Sequence, residues 1–200
     1  MRRFPLCLLL AAALPLALAG CDDETEDELG PTYAYMPFDE GRLWDYVWEL
    51  PEDGDDLSLE CTAHDGSDWT IEMVLGDTEN QTWTHTADGE LRVLRDGETN
   101  PRIVLKTPIT TGSAWSFDDD AGVRWDCRIV HTDAVFDLPA GHFEDVVLVS
   151  LIPKPDGWSD SDYKENYWFA EDTGLIRIAV DDDDADYNSD WLWELNYVQE

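Results

Sequence analysis

Hydrophobic and polar positions alternate with a period of two along most of this chain. Trp44, Tyr46, Trp48 and Leu50 form one such run, followed by Leu57, Leu59, Cys61 and Ala63, then Trp69, Ile71, Met73 and Leu75. Val123, Trp125, Cys127 and Ile129 repeat the pattern, as do Trp191, Trp193, Leu195 and Tyr197. Alternation over four to eight residues marks strands with one buried face. Turn signals separate the runs: Pro51-Glu52-Asp53-Gly54, Asp65-Gly66, Asp88-Gly89, Asp96-Gly97, Pro155-Asp156-Gly157 and Asp172-Thr173-Gly174. No segment carries a helical stripe; at most one helical turn follows Pro139-Ala140-Gly141. The pattern predicts an all-β, antiparallel fold of about ten to twelve strands, a curved sheet closing toward a barrel, with a β-sandwich as the alternative.

The N-terminus departs from this pattern. Arg2 and Arg3 precede an uncharged apolar run from Phe4 to Leu18. That run falls short of the roughly 20 apolar residues a membrane span needs, and small residues then lead to a cysteine, the layout of a secretory signal. Leu18-Ala19-Gly20-Cys21 resembles the lipobox of bacterial lipoproteins. The resemblance implies cleavage before Cys21, a diacylglycerol thioether on Cys21, usually an N-acyl chain, and the lipid bilayer as partner. Two or more chains anchor stably because each buried methylene contributes about 0.8 kcal/mol. Residues 1–20 then read as a signal peptide and 21–33 as an acidic tether, with six acids among Asp22 to Glu28. Residues 34–200 read as a single β-rich domain. An acid directly after the lipid cysteine resembles an inner-membrane retention signal in some bacteria and a surface-export signal in others. The chain is thus expected in the cell envelope, extracytoplasmic, with membrane and leaflet open.

Charge narrows the partners. The whole chain carries −34, and residues 21–200, with ten basic and 46 acidic side chains, carry −36. Such a surface repels nucleic acid and anionic headgroups. It also strains the compact state by self-repulsion unless salt screens it, and with only 3 lysines it looks like the surfaces of proteins from saline habitats. Pro37 to Trp44 and Pro108 to Trp115 share the spacing P-x3-G-x2-W, 71 residues apart. Proline ends one segment, glycine turns the chain and tryptophan opens a strand on its core face, so two copies point to two similar half-sheets. These motifs, with Leu138-Pro139-Ala140-Gly141-His142-Phe143 and Tyr167-Trp168-Phe169-Ala170, resemble a loose group of bacterial envelope lipoproteins of unknown function. The resemblance spans roughly residues 36–180 and implies a β-rich fold and no activity. Glu171-Asp172 departs from the Pro-Gly expected there.

Candidate chemistry is sparse. There is no G-x-S-x-G, and His64, His85, His131 and His142 stand singly, without H-x3-H or H-E-x-x-H spacing. No catalytic residue and no cofactor are expected. Asp182, Asp184 and Asp186 offer oxygen at alternating spacing as a candidate calcium site, without the glycine and glutamate of an EF-hand. Once Cys7 leaves with the signal and Cys21 takes lipid, Cys61 and Cys127 remain. Both share the parity of large apolar neighbours, so a core disulfide is expected in an oxidising compartment. Trp44 with Trp48, and Trp191 with Trp193, each share a strand face and form candidate ligand-stacking positions. The first functional reading is a non-enzymatic, membrane-tethered envelope lipoprotein with a structural or interaction role. The alternative is a binding module holding an apolar ligand or glycan on a Trp-rich face, its protein or glycan partner unidentified.

Overall fold

The computed structural model describes residues 31–49, 55–155, 163–181 and 191–199. Within them the alternating runs form twelve strands: β1 (Leu43–Trp48), β2 (Leu57–Asp65), β3 (Asp68–Leu75), β4 (Asp77–His85), β5 (Glu90–Arg95), β6 (Arg102–Lys106), β7 (Ala114–Asp118), β8 (Arg124–Leu138), β9 (Gly141–Lys154), β10 (Lys164–Ala170), β11 (Gly174–Asp181) and β12 (Trp191–Gln199). All pair antiparallel in one sheet of order β6-β5-β4-β3-β2-β1-β12-β11-β10-β9-β8-β7. A single curled sheet excludes the sandwich alternative. The two end strands, β6 and β7, approach one another and are linked by a side chain: Trp115 Nε1 donates to the carbonyl of Ile103 at 2.8 Å. The sheet is thus a nearly closed barrel. One turn of 3-10 helix, Tyr33–Tyr35, is the only helix among the described residues. Pro139-Ala140 forms the β8–β9 hairpin turn instead of a helical one.

The sheet order divides into two six-stranded meanders, β1–β6 and β7–β12, and each opens on a copy of P-x3-G-x2-W. The two copies make the same backbone bonds. Gly41 N donates to Cys61 O (2.7 Å) and Cys61 N to Arg42 O (2.9 Å), while Gly112 N donates to Ile129 O (2.8 Å) and Ile129 N to Ser113 O (2.9 Å). Both glycines hold φ near +90°, at 89° and 91°, a conformation costly for any residue with a Cβ.

A barrel of twelve strands is wider than side chains alone fill, since eight already leave just enough room for them. The N-terminal segment fills one end. Met36 and Phe38 are fully buried there, and Phe38 touches the rings of Trp44, Trp69, Trp83 and His85 at centroid distances of 5.2–6.0 Å. Thr32 is also fully buried, so packing begins slightly before the expected domain boundary at residue 34. The long β8–β9 hairpin bends at three register shifts and folds over the outside of the barrel, where Ala140 N reaches the carbonyl of Leu195 on β12 at 3.1 Å. Phe136 on that arm stands over Trp168 of β10 at 6.1 Å, with the Arg177 guanidinium against both rings.

Two expectations need correction. Cys61 and Cys127 form no disulfide; both are buried free thiols. Each does point inward, but β2 and β8 stand six places apart in the sheet order, on opposite walls of the barrel. Parity fixed the facing of the two cysteines and left their separation open. Burial, with the nearby acids Asp39 and Glu40, pushes the Cys61 thiol up to about 11, and burial with Asp126 and Glu165 pushes Cys127 up to about 12. Alternation also fails at Ala63 and Tyr197, both exposed, because register shifts follow Cys61 and Asp45 and insert an unpaired residue. The Glu171-Asp172 turn is made with Asp172 at φ 61°, the left-handed region that Asp tolerates better than most residues.

Candidate functional site

Beyond the N-terminal plug, the inward face of the barrel encloses a cavity of about 260 Å³. It reaches from the plug, which Trp83 and Leu175 of its wall touch, toward the end where β3 and β5 finish and β2, β6, β10 and β12 begin. Most of its wall is apolar, with Leu59, Met73, Val93, Val104, Ile178 and Trp193 among the contributors. Trp83 and Trp193 are held in fixed poses: Trp83 Nε1 donates to Gln81 Oε1 at 3.0 Å and Trp193 Nε1 to the carbonyl of Asp55 at 3.0 Å.

One corner is polar. Arg95, Arg102, Tyr163, Glu165 and Tyr167 face the cavity together. Glu165 is 5% exposed and accepts hydrogen bonds from Tyr167 Oη at 2.7 Å and Tyr163 Oη at 3.0 Å. Burial and the adjacent Glu165 charge raise both phenols, so they stay protonated donors. Arg102 bridges Glu165 (3.6 Å) and Glu98 (3.5 Å), and its guanidinium lies 5.4 Å from the centre of the Trp125 ring. Arg95 has no such pairing: Nε of both arginines is buried without a hydrogen-bond partner, but Arg102 has its two carboxylates while no described carboxylate lies within ion-pair distance of Arg95. Burial lowers the Arg95 pKa, but Tyr167, Glu165, Glu79 and Glu98 outweigh it and leave the group fully cationic. The arrangement can hold an apolar body and orient a polar head. It contains no nucleophile next to a base.

A solved structure shares this architecture. It is a Bacteroides fragilis protein described as exported and as having a YmcC-like fold, matched at TM-score 0.52 and 9% identity over 83% of this chain and 99% of that one. At that identity the likeness carries the fold and nothing of activity. A Parabacteroides distasonis protein described as a lipoprotein aligns at TM-score 0.46 and 12% identity over 86% of this chain and 98% of that one. No protein-family model and no curated protein matches the sequence.

The barrel separates the residues singled out in the sequence. Trp44 belongs to the plugged end: it is fully buried and donates to the carbonyl of Thr173 at 2.8 Å. Trp48 packs edge-on against Trp193 at 5.1 Å, and of the four tryptophans it is Trp193 that lines the cavity. The side chain of Trp191 lies outside the described residues, as do Cys21 and the candidate calcium ligands Asp182, Asp184 and Asp186. Among the described residues no group of three or more His, Cys, Asp or Glu is placed to hold a metal. His85 is sealed in the plug between Thr32 and Met36, and His142 lies exposed on the β8–β9 arm beside Asp137 and Glu144. The polar corner was not anticipated. Its signal was present in the sequence: Arg95 continues the inward parity of Leu91 and Val93, and Glu165 opens that of Tyr167 and Phe169.

Proposed function

We propose that the protein is a lipid-anchored, non-enzymatic binding protein of the cell envelope, which holds an apolar ligand inside its barrel. The cavity carries this reading, because a well-formed apolar pocket with a few converging polar groups is the usual form of a ligand site. Trp193 and Met73 in its wall give the apolar contact surface that a purely structural barrel would fill with packed side chains. The Leu18-Ala19-Gly20-Cys21 motif and the fold shared with a protein described as exported support the envelope address. At water's ~30 Å³ share of liquid volume, 260 Å³ holds about nine groups of that size, enough for a single short chain or a small ring system.

The test uses residues 21–200 with Cys21→Ser, which keep every described element and need no detergent. Saturable binding of 1-octanol in calorimetric titration is expected, with loss of that binding in Val93→Trp, which fills the cavity. An absence of saturable heat in the parent protein overturns the binding reading. In the cell of origin, Cys21→Ser moves the protein from the membrane to the soluble fraction; continued membrane association defeats the anchor.

A further inference from the structure

We infer that the occupant of the barrel cavity is an anionic amphiphile, a carboxylate-headed acyl chain whose head sits on Arg95 and whose chain lies along Val93, Val104, Ile178 and Trp193. This rests on the binding reading above and names its ligand class. The reasoning starts from an unpaired charge. Arg95 stands opposite Gln81 in the β4–β5 register, at an inward position of a strand that is otherwise apolar on that face. Arg95 is half-buried with its Nε fully enclosed, a cation drawn partly out of water gains from a direct partner, and arginine does not escape by losing its proton. The carboxylates around it are engaged elsewhere. Glu165 is taken by Tyr163, Tyr167 and Arg102; Glu98 by Arg102 and by the backbone N–H of Arg95; Glu79 by the side-chain amide of Gln81 at 3.5 Å. The Arg95 guanidinium is left facing the cavity. Its planar fork matches a carboxylate, and it is more weakly hydrated than an ammonium, which suits a partly desolvated site.

The surroundings also limit what the anion is. Glu79, Glu98 and Glu165 outnumber Arg95 and Arg102 at this corner, and the whole chain carries −34. A dianion such as a phosphate monoester meets three glutamates with one free arginine. A small monoanion without an apolar part is repelled on approach and gains nothing from the wall. A monoanion with a chain gains on both counts, and a cavity of about nine water-sized groups fits a chain of roughly eight carbons.

The probes are octanoate, 1-octanol and acetate, titrated calorimetrically into residues 21–200 carrying Cys21→Ser, at pH 7. Octanoate is expected to bind at least tenfold more tightly than 1-octanol, a difference of about 1.4 kcal/mol, with no saturable binding of acetate. Arg95→Gln is expected to abolish that preference by weakening octanoate at least tenfold more than 1-octanol, and Arg95→Lys to recover only part of it. Equal affinity for octanoate and 1-octanol in the parent protein overturns the head-group assignment and leaves the binding reading standing. Equal loss of both ligands in Arg95→Gln overturns it too. Failure of both ligands to bind the parent removes the binding reading and this inference with it. The parent comparison needs no substitution, so it decides the matter even where Arg95→Gln folds poorly.

Discussion

His85 is a base kept neutral by its surroundings. Its Nδ1 meets Thr32 Oγ1 at 2.9 Å and its Nε2 meets the carbonyl of Met36 at 2.9 Å, with the rings of Tyr33 and Phe38 alongside. Burial lowers its pKa to about 4, only partly opposed by the Met36 carbonyl. The folded state therefore refuses a proton that the unfolded chain accepts near pH 6.5. Stability from this residue is full above that pH and is lost as the pH falls from about 6.5 to about 4, by up to ~3 kcal/mol. Chemical denaturation at pH 7 and pH 4.5 is expected to show a smaller drop for His85→Gln than for the parent chain; equal drops refute the assignment. Cys61 and Cys127 make the second residue-scale prediction. Peptide mapping without reduction is expected to recover both as free thiols, alkylated slowly in the native state and rapidly after unfolding. A recovered Cys61–Cys127 peptide refutes the strand order. The two cysteines also mark how far the sequence was legible. Period two tells which face a residue occupies, and it is silent on which strands become neighbours. Arg95 shares that inward parity, but a charge at such a position is indistinguishable in sequence from a surface residue.

The β8–β9 arm is the element whose role the alternation pattern hides. Its residues from His131 to Val146 do not line the barrel; they cover the outer faces of β10, β11 and β12. The register shifts after Ile129, His131 and Ala134 bend the hairpin, and shifts of this kind leave only a broken alternation in the sequence. What holds the arm down is a layer of rings and one cation. Arg177 lies 5.3 Å from the Phe136 ring centre and 5.0 Å from that of Trp168, and it pairs with Glu194 at 3.2 Å. Such contacts contribute about 0.5–2 kcal/mol each according to their desolvation. Phe136→Ala is expected to cost ~1–2 kcal/mol in urea denaturation and to open the turn at Leu138 to Gly141 to proteolysis. A variant with parental stability and an intact arm under limited proteolysis counts against this role. By contrast β1 and β3 follow the alternation closely, because each has one face on the core and no shift in its own strand.

At the scale of the molecule, charge and topology act separately. Ten basic side chains against 46 acidic ones after residue 20 leave a surface whose self-repulsion opposes folding. The screening length falls from about 10 Å at 0.1 M salt to about 3 Å at 1 M, so the melting temperature is expected to rise between 0.05 M and 1 M sodium chloride. A flat or falling melting temperature shows that the acids are spaced too far apart to matter. The topology, for its part, gives the barrel two unlike ends. The chain enters at Pro31 beside the buried plug, and the cavity lies beyond it. Were Cys21 seated in a bilayer, the intervening ten or so residues would reach at most about 36 Å, keeping the plugged end within that distance of the lipid. The cavity would then lie on the side of the plug away from the lipid. A ligand taken into that cavity would be separated from the membrane by the layer of Met36, Phe38 and Trp44.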